Sequence, residues 1–295
     1  MKNYPFYIVD VFAETRYAGN QLAVVRNAEG LSATDMQNIA REMNYSETTF
    51  ILSDNQRNDG YDVRIFSLDE ELPFAGHPTL GTAYIVQQHL LGMIVPEVRL
   101  NLKVGQIPVK FEYRDSKPDI LWMKQVKPSF GSTFDADSAA RALNIETGLI
   151  DDRFPIQEVS TGLPFIMIPL VSLDAVKACR IDSVSYLNLI NQAEAKSLFV
   201  FCPETYLPGN HFNCRMFDHF HGIAEDPATG SANGCLAAYL VKHRYLGSTE
   251  IDVRVEQGYE IGRPSLLLLK AKEERDGILI KVGGKVIPVA EGSLV

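Results

Sequence analysis

The chain has 295 residues, long for one hydrophobic core and comfortable for two domains. Its apolar content of 46% and charged content of 22% are those of an ordinary globular protein. A formal net charge of −9, with no basic cluster or stripe, argues against nucleic acid or an anionic membrane as a general partner. The cysteines Cys179, Cys202, Cys214 and Cys235 are scattered, with no C-x-x-C pair, which fits reduced thiols. The run Met1-Lys2-Asn3-Tyr4-Pro5 leads straight into an alternating strand without a signal-peptide core. No apolar run approaches the ~20 residues of a membrane helix. A cytoplasmic protein is expected.

In chain order, residues 6–12 read as a strand and 22–25 as its partner, with Tyr17-Ala18-Gly19-Asn20 as the turn. Ser32 starts a helix with Asp35 three residues on, and Met36, Ile39, Ala40 and Met43 form its apolar stripe. A strand over 48–52 has Glu47 immediately before it, and another runs through Tyr61, Val63 and Ile65. A glycine motif, Leu72-Pro73-Phe74-Ala75-Gly76-His77-Pro78-Thr79-Leu80-Gly81, then opens a helix ending near Gly92, with Pro78 expected at its first position. Strands around 97–102, 107–113 and 120–126 close the first half. Residues 127–131 read as a junction.

The pattern then begins again. After a helix over 138–143 come strands over 157–160 and 165–169, joined by Thr161-Gly162-Leu163-Pro164. Helices over 173–179 and 184–195 lead to strands over 198–202 and 211–217. A second glycine motif, Glu225-Asp226-Pro227-Ala228-Thr229-Gly230-Ser231-Ala232-Asn233-Gly234, precedes another apolar helix, with Ser231 as its expected N-cap. Strands around 251–256, 266–271 and 278–282 follow. Superimposing Pro73 on Pro227 brings Gly76 onto Gly230 and His77 onto Ser231, and Arg64-Ile65-Phe66 echoes Arg215-Met216-Phe217. The expected fold is α+β, two pseudo-symmetric domains over 1–127 and 128–295. Each is a curled, mostly antiparallel or mixed sheet around a central helix, and the last strand packs back on the first half. No G-x-G-x-x-G or Walker sequence is present.

Six residues are candidates for the site. Glu47, a carboxylate beside an apolar strand, suits a general acid/base, though its position by itself favours a solvated junction glutamate. His77 could hold a carboxylate or move a proton, or simply cap its helix. Asp226 and Ser231 could bind substrate or merely hold their loop. Gly76 and Gly230 bring backbone N–H groups to two helix starts, which suit an anion. A metal at His219, His221, Glu225 and Asp226 is disfavoured because Gly222 breaks the ligand set.

With these residues the chain resembles the PhzF-like family, named for the phenazine-biosynthesis isomerase. The resemblance covers nearly the whole chain. It rests on Asp10-Val11-Phe12 with Gly19-Asn20, Ile39-Ala40-Arg41-Glu42-Met43-Asn44 with Ser46-Glu47-Thr48, Pro73-Phe74-Ala75-Gly76-His77-Pro78, and Asp226-Pro227-Ala228-Thr229-Gly230-Ser231. It implies a diaminopimelate-epimerase-like fold, an active site in a cleft between the domains that closes to exclude water, no cofactor, and a homodimer. It also implies that Glu47 is the acid/base, that His77 and Asp226 assist or position, and that Gly76, Gly230 and Ser231 hold the substrate. Related racemases carry a cysteine in each glycine turn, where this chain has Ala75 and Thr229. Isomerisation of a small cyclic or unsaturated acid is therefore expected. An epimerase or lyase of the same fold, or a non-catalytic metabolite-binding protein, stays open.

Overall fold

The computed structural model describes residues 3–295; Met1 and Lys2, the start of the run expected to enter the first strand, lie outside the described residues. The chain divides into two units, residues 1–123 with 283–295 and residues 124–282.

In unit 1, β1 (Tyr4–Val11) pairs antiparallel with β2 (Asn20–Val25). The turn joining them needs Gly19, whose φ is 66° and whose added Cβ would lie 2.3 Å from the Val11 carbonyl oxygen. α1 (Ala33–Met43) is fixed at its start by a reciprocal capping box between Ser32 and Asp35. It returns the chain to β3 (Glu47–Ile51), parallel to β2. β4 (Tyr61–Ser67) pairs antiparallel with β3, and the two-residue β5 (Glu71–Leu72) with β4. α2 (Gly76–Ile85) follows and continues as a π-helical turn, Val86–Leu91, which Gly92 closes at φ 60°. From His77 to Ile85 every residue of α2 is buried, as befits a helix without a polar face. β6 (Glu97–Leu102) lies parallel to β4, and β7 (Gly105–Arg114) and β8 (Lys117–Lys124) add antiparallel.

Unit 2 repeats this plan. β9 (Ser129–Phe134) and α3 (Ala136–Leu143) lead to β10 (Ile156–Ser160), antiparallel to β9, and then to β11 (Pro164–Pro169). α4 (Leu173–Ala178) and α5 (Ser183–Ile190) stand where unit 1 has α1. β12 (Ser197–Cys202) is parallel to β11, with β13 (Phe212–Asp218) and β14 (Ile223–Asp226) antiparallel in turn. The buried helix here is α6 (Gly230–Lys242). β15 (Glu250–Gln257) lies parallel to β13, β16 (Ser265–Glu274) pairs with β15, and β17 (Gly277–Gly284) follows. β18 (Val286–Leu294) belongs to unit 1, antiparallel to β1.

The registers make the duplication residue-specific. Phe50 faces Arg64 and Tyr61 faces Leu100 in unit 1, while Val200 faces Arg215 and Phe212 faces Val255 in unit 2. Arg64 thus matches Arg215, Glu47 matches Ser197, and Leu102 matches Gln257. Each unit has its own core. Met36, Ala40, Phe50 and Phe66 cluster in unit 1, and Leu143, Ile166, Val176, Tyr186 and Leu198 in unit 2.

Some local expectations are corrected. Ser129–Phe134, inside and beyond the expected junction, forms a strand whose small polar residues hide its pairing with β10. β5, β14 and β18 are further strands: the first two are too short to alternate visibly, and the third is mostly exposed.

Candidate active site

Glu47 is the first residue of β3, and its side chain is 18% exposed. Its Oε2 lies 3.4 Å from Nε2 of His77, whose side chain is only 7% exposed. Burial pushes the imidazole pKa down to about 3, against the opposing pull of a backbone hydrogen bond to Gln21. His77 is therefore neutral near pH 7, and its contact with Glu47 is not an ion pair. The Gln21 bond favours the protonated ring, so in it the ring donates. Among the described residues Nε2 has no hydrogen-bond partner, and with the ring donating to Gln21 its lone pair faces Glu47.

The start of α2 differs from expectation. Ala75, extended at φ −150°, is the N-cap, so His77 and Pro78 are the second and third helical residues. Pro78 is tolerated there because first-turn N–H groups have no helical partner anyway. The Thr79 hydroxyl donates to the Ala75 carbonyl at 2.7 Å, tying off the turn.

Unit 2 builds the matching turn from polar parts. Thr229, not Ser231, is the N-cap of α6, and Ser231 is the second helical residue. The Thr229 side chain is directed away from its own helix and donates to Asp226 Oδ2. Asp226 is buried at the end of β14. The Gln257 amide accepts from Thr229 N–H at 3.1 Å and from Asn233 Nδ2 at 2.9 Å. It donates to the Asp226 carbonyl at 2.9 Å and to Thr229 Oγ1 at 3.0 Å. Asn233 Nδ2 also donates to the Thr229 carbonyl, as Thr79 does to Ala75. Neither Ala75 nor Thr229 caps its helix with a side chain, so both first turns keep N–H groups for an anion. Ser231 is half-buried, and its carbonyl accepts from Thr161 Oγ1 at 3.3 Å.

Each glycine turn is preceded by an arginine fork. Arg64 grips Glu71 at 2.8 and 2.7 Å, and Arg215 grips Glu225 at 3.0 and 2.7 Å. Lys103 adds to the first pair at 2.8 Å, and together they hold Glu71 down at about 2. Glu225 is thus occupied, and His221 Nδ1 lies 2.8 Å from Asp218. Among the described residues no group of three or more His, Cys, Asp or Glu is placed to hold a metal ion.

Cys235 lies in the interior of α6, with Sγ 3.6 Å from Thr161 Oγ1. Burial pushes its thiol up to about 12, so it supplies no thiolate. The sequence reading missed Gln257, Asn233 and Thr161. Gln257 alone carried a signal, as an amide closing the Val253, Val255 alternation just before Gly258. No helix of the described residues is long and apolar enough to cross a membrane.

Two sheet units, each holding a buried helix whose start carries the polar groups, define a diaminopimelate-epimerase-like fold. A solved probable proline racemase from Agrobacterium radiobacter shares that fold, with a TM-score of 0.66 at 10% identity over 99% of this chain and 93% of that one. The family model for phenazine biosynthesis-like proteins, PhzC-PhzF, matches residues 9–292, and the chain belongs to that family. A trans-2,3-dihydro-3-hydroxyanthranilate isomerase from Pseudomonas fluorescens is 35% identical over 298 residues, covering 100% of both chains. The crystal structure of a PhzF-family phenazine biosynthesis protein from Bacillus anthracis superimposes with a TM-score of 0.89, at 26% identity and covering 100% of both. The chain is an isomerase of this family.

Proposed function

We propose that the chain is a cofactor-independent isomerase that moves a proton within a small cyclic or unsaturated carboxylic acid, with Glu47 as the acid/base. The observation that carries this reading is the Glu47–His77 contact, a carboxylate 3.4 Å from the lone pair of a buried neutral imidazole. As a carboxylate, Glu47 takes a proton from a carbon activated by conjugation. As the acid, it is steadied by Nε2, which accepts from the new O–H, and it returns the proton further along the conjugated system. Asp226 positions polar groups of the substrate. Ser231 and the N–H groups beginning at Gly76 and Gly230 hold its carboxylate. Absence of thiols at Ala75 and Thr229 supports isomerisation over two-thiol stereoinversion.

The first substrate to test is trans-2,3-dihydro-3-hydroxyanthranilate, the acid that names its relatives. With deuterium at the carbon that loses its hydrogen, run in ordinary water, the product should retain much of the label at its new carbon. Complete loss of label to solvent would favour an exchange-linked epimerase or lyase.

A further inference from the structure

We propose that Gln257 is a positioning residue, which acts through the Thr229 hydroxyl to aim the Asp226 carboxylate. This inference rests on the role given above to Asp226.

Gln257 is fully buried, and both ends of its amide are used. Rotating the amide by half a turn would set its oxygen against the Asp226 carbonyl and its nitrogen against the Thr229 N–H, so the orientation is forced. One hydrogen of the Gln257 amide therefore points at Thr229 Oγ1. The threonine's own hydrogen is left to go to Asp226 Oδ2, where the geometry places it. A relay of fixed direction results, from Gln257 through Thr229 to Asp226. It holds the carboxylate as an acceptor in one rotamer. Gly258 lets the strand end come this close: at φ 78°, an added Cβ would lie 2.6 Å from the Pro227 carbonyl oxygen. The Ser265 hydroxyl donates to the same carbonyl at 2.9 Å.

A loop-holding purpose would explain these bonds without function, and unit 1 is an internal control against it. The β-sheet registers place Leu102 at the Gln257 position. The glycine motifs place Leu72 at Asp226 and Ala75 at Thr229. All three members of the relay are apolar in unit 1, yet α2 starts in the same way, with the same side-chain bond back to the N-cap carbonyl. Turn and helix form without the relay. At the Asp226 position unit 1 has Leu72, so its turn carries no carboxylate there to aim.

The test compares Thr229→Val, Thr229→Ser and Gln257→Met with the native enzyme, alongside Glu47→Gln as a reference. Thr229→Val removes the hydroxyl's two bonds, to Asp226 and from the Gln257 amide, and keeps the backbone bond to Gln257. It should lower kcat about tenfold to a hundredfold and leave KM within about threefold. Thr229→Ser should restore most of that kcat. Gln257→Met removes the amide's bonds to Thr229, Asn233 and the Asp226 carbonyl together and should change both kcat and KM. If Glu47→Gln is inactive while folded Thr229→Val and Gln257→Met keep native kcat and KM, the relay is overturned and the acid/base role stands. If Glu47→Gln is as active as the native enzyme, the functional reading fails instead. Crystal structures of the Thr229→Val and Gln257→Met variants give an answer independent of turnover. The Asp226 carboxylate should leave its native rotamer in both, and an unmoved carboxylate contradicts the proposal.

Discussion

The two units share a pairing pattern, an arginine fork before the glycine turn and a helix start free of side-chain capping, yet they carry different chemistry. Unit 1 has Glu47 and His77 where unit 2 has Ser197 and Ser231. Unit 2 has Asp226, Thr229 and Gln257 where unit 1 has Leu72, Ala75 and Leu102. The features common to both are those that make the turn: the Arg–Glu fork, the glycine at the helix start, and a side-chain bond to the N-cap carbonyl. Those that differ are the groups able to take, give or direct a proton. The difference separates the groups that build the turn from those the proposed chemistry uses.

The largest stability effect should come from breaking the scaffold, and it should be unequal. Arg215 is buried and pairs with Glu225, their side chains 6% and 7% exposed, and Arg215 also donates to the Val176 and Cys179 carbonyls at 3.0 Å. Arg215→Met leaves that carboxylate and those carbonyls without their donor and should cost about 3–5 kcal/mol in urea unfolding. Arg64, 27% exposed, shares Glu71 with Lys103, so Arg64→Met should cost about 1 kcal/mol. Equal losses would contradict the difference in burial.

A smaller effect is set by pH. His77 has a folded pKa near 3, below its unfolded value of about 6.5. Between those values the unfolded chain binds the proton and the folded chain does not, so stability falls as pH drops through that window. His89 and His243 are shifted in the same direction. Glu71, depressed to about 2, adds a further loss only as pH falls below about 4.5. His77→Asn should flatten the stability slope between pH 6.5 and 5 by up to about 1.4 kcal/mol per pH unit. An unchanged slope would mean that His77 is not held neutral.

Much of this was legible in the sequence because it is local. The Ser32–Asp35 box, the Pro73 to Pro227 alignment and the Arg64 and Arg215 echoes are short-range patterns that the fold preserves. Glu47 and His77 could be named singly, but their contact depends on α2 packing beside β3, which no spacing in the chain reveals. The helix starts were misplaced because Pro78 and Ser231 are good residues for a first turn in several positions. Backbone dihedrals at Ala75 and Thr229 decide the register. Gln257 was missed for a different reason. It is 28 residues from Thr229, and an isolated glutamine at a strand end looks like a surface residue until the parallel pairing of β15 with β13 buries it.

The most direct measurement is the turnover of Glu47→Gln, purified and shown to be folded, under conditions where the native enzyme converts its acid. With Glu47 as the only acid/base, kcat should fall about 10²–10⁴-fold while product binding changes little. A folded Glu47→Gln variant turning over at the native rate would contradict that assignment.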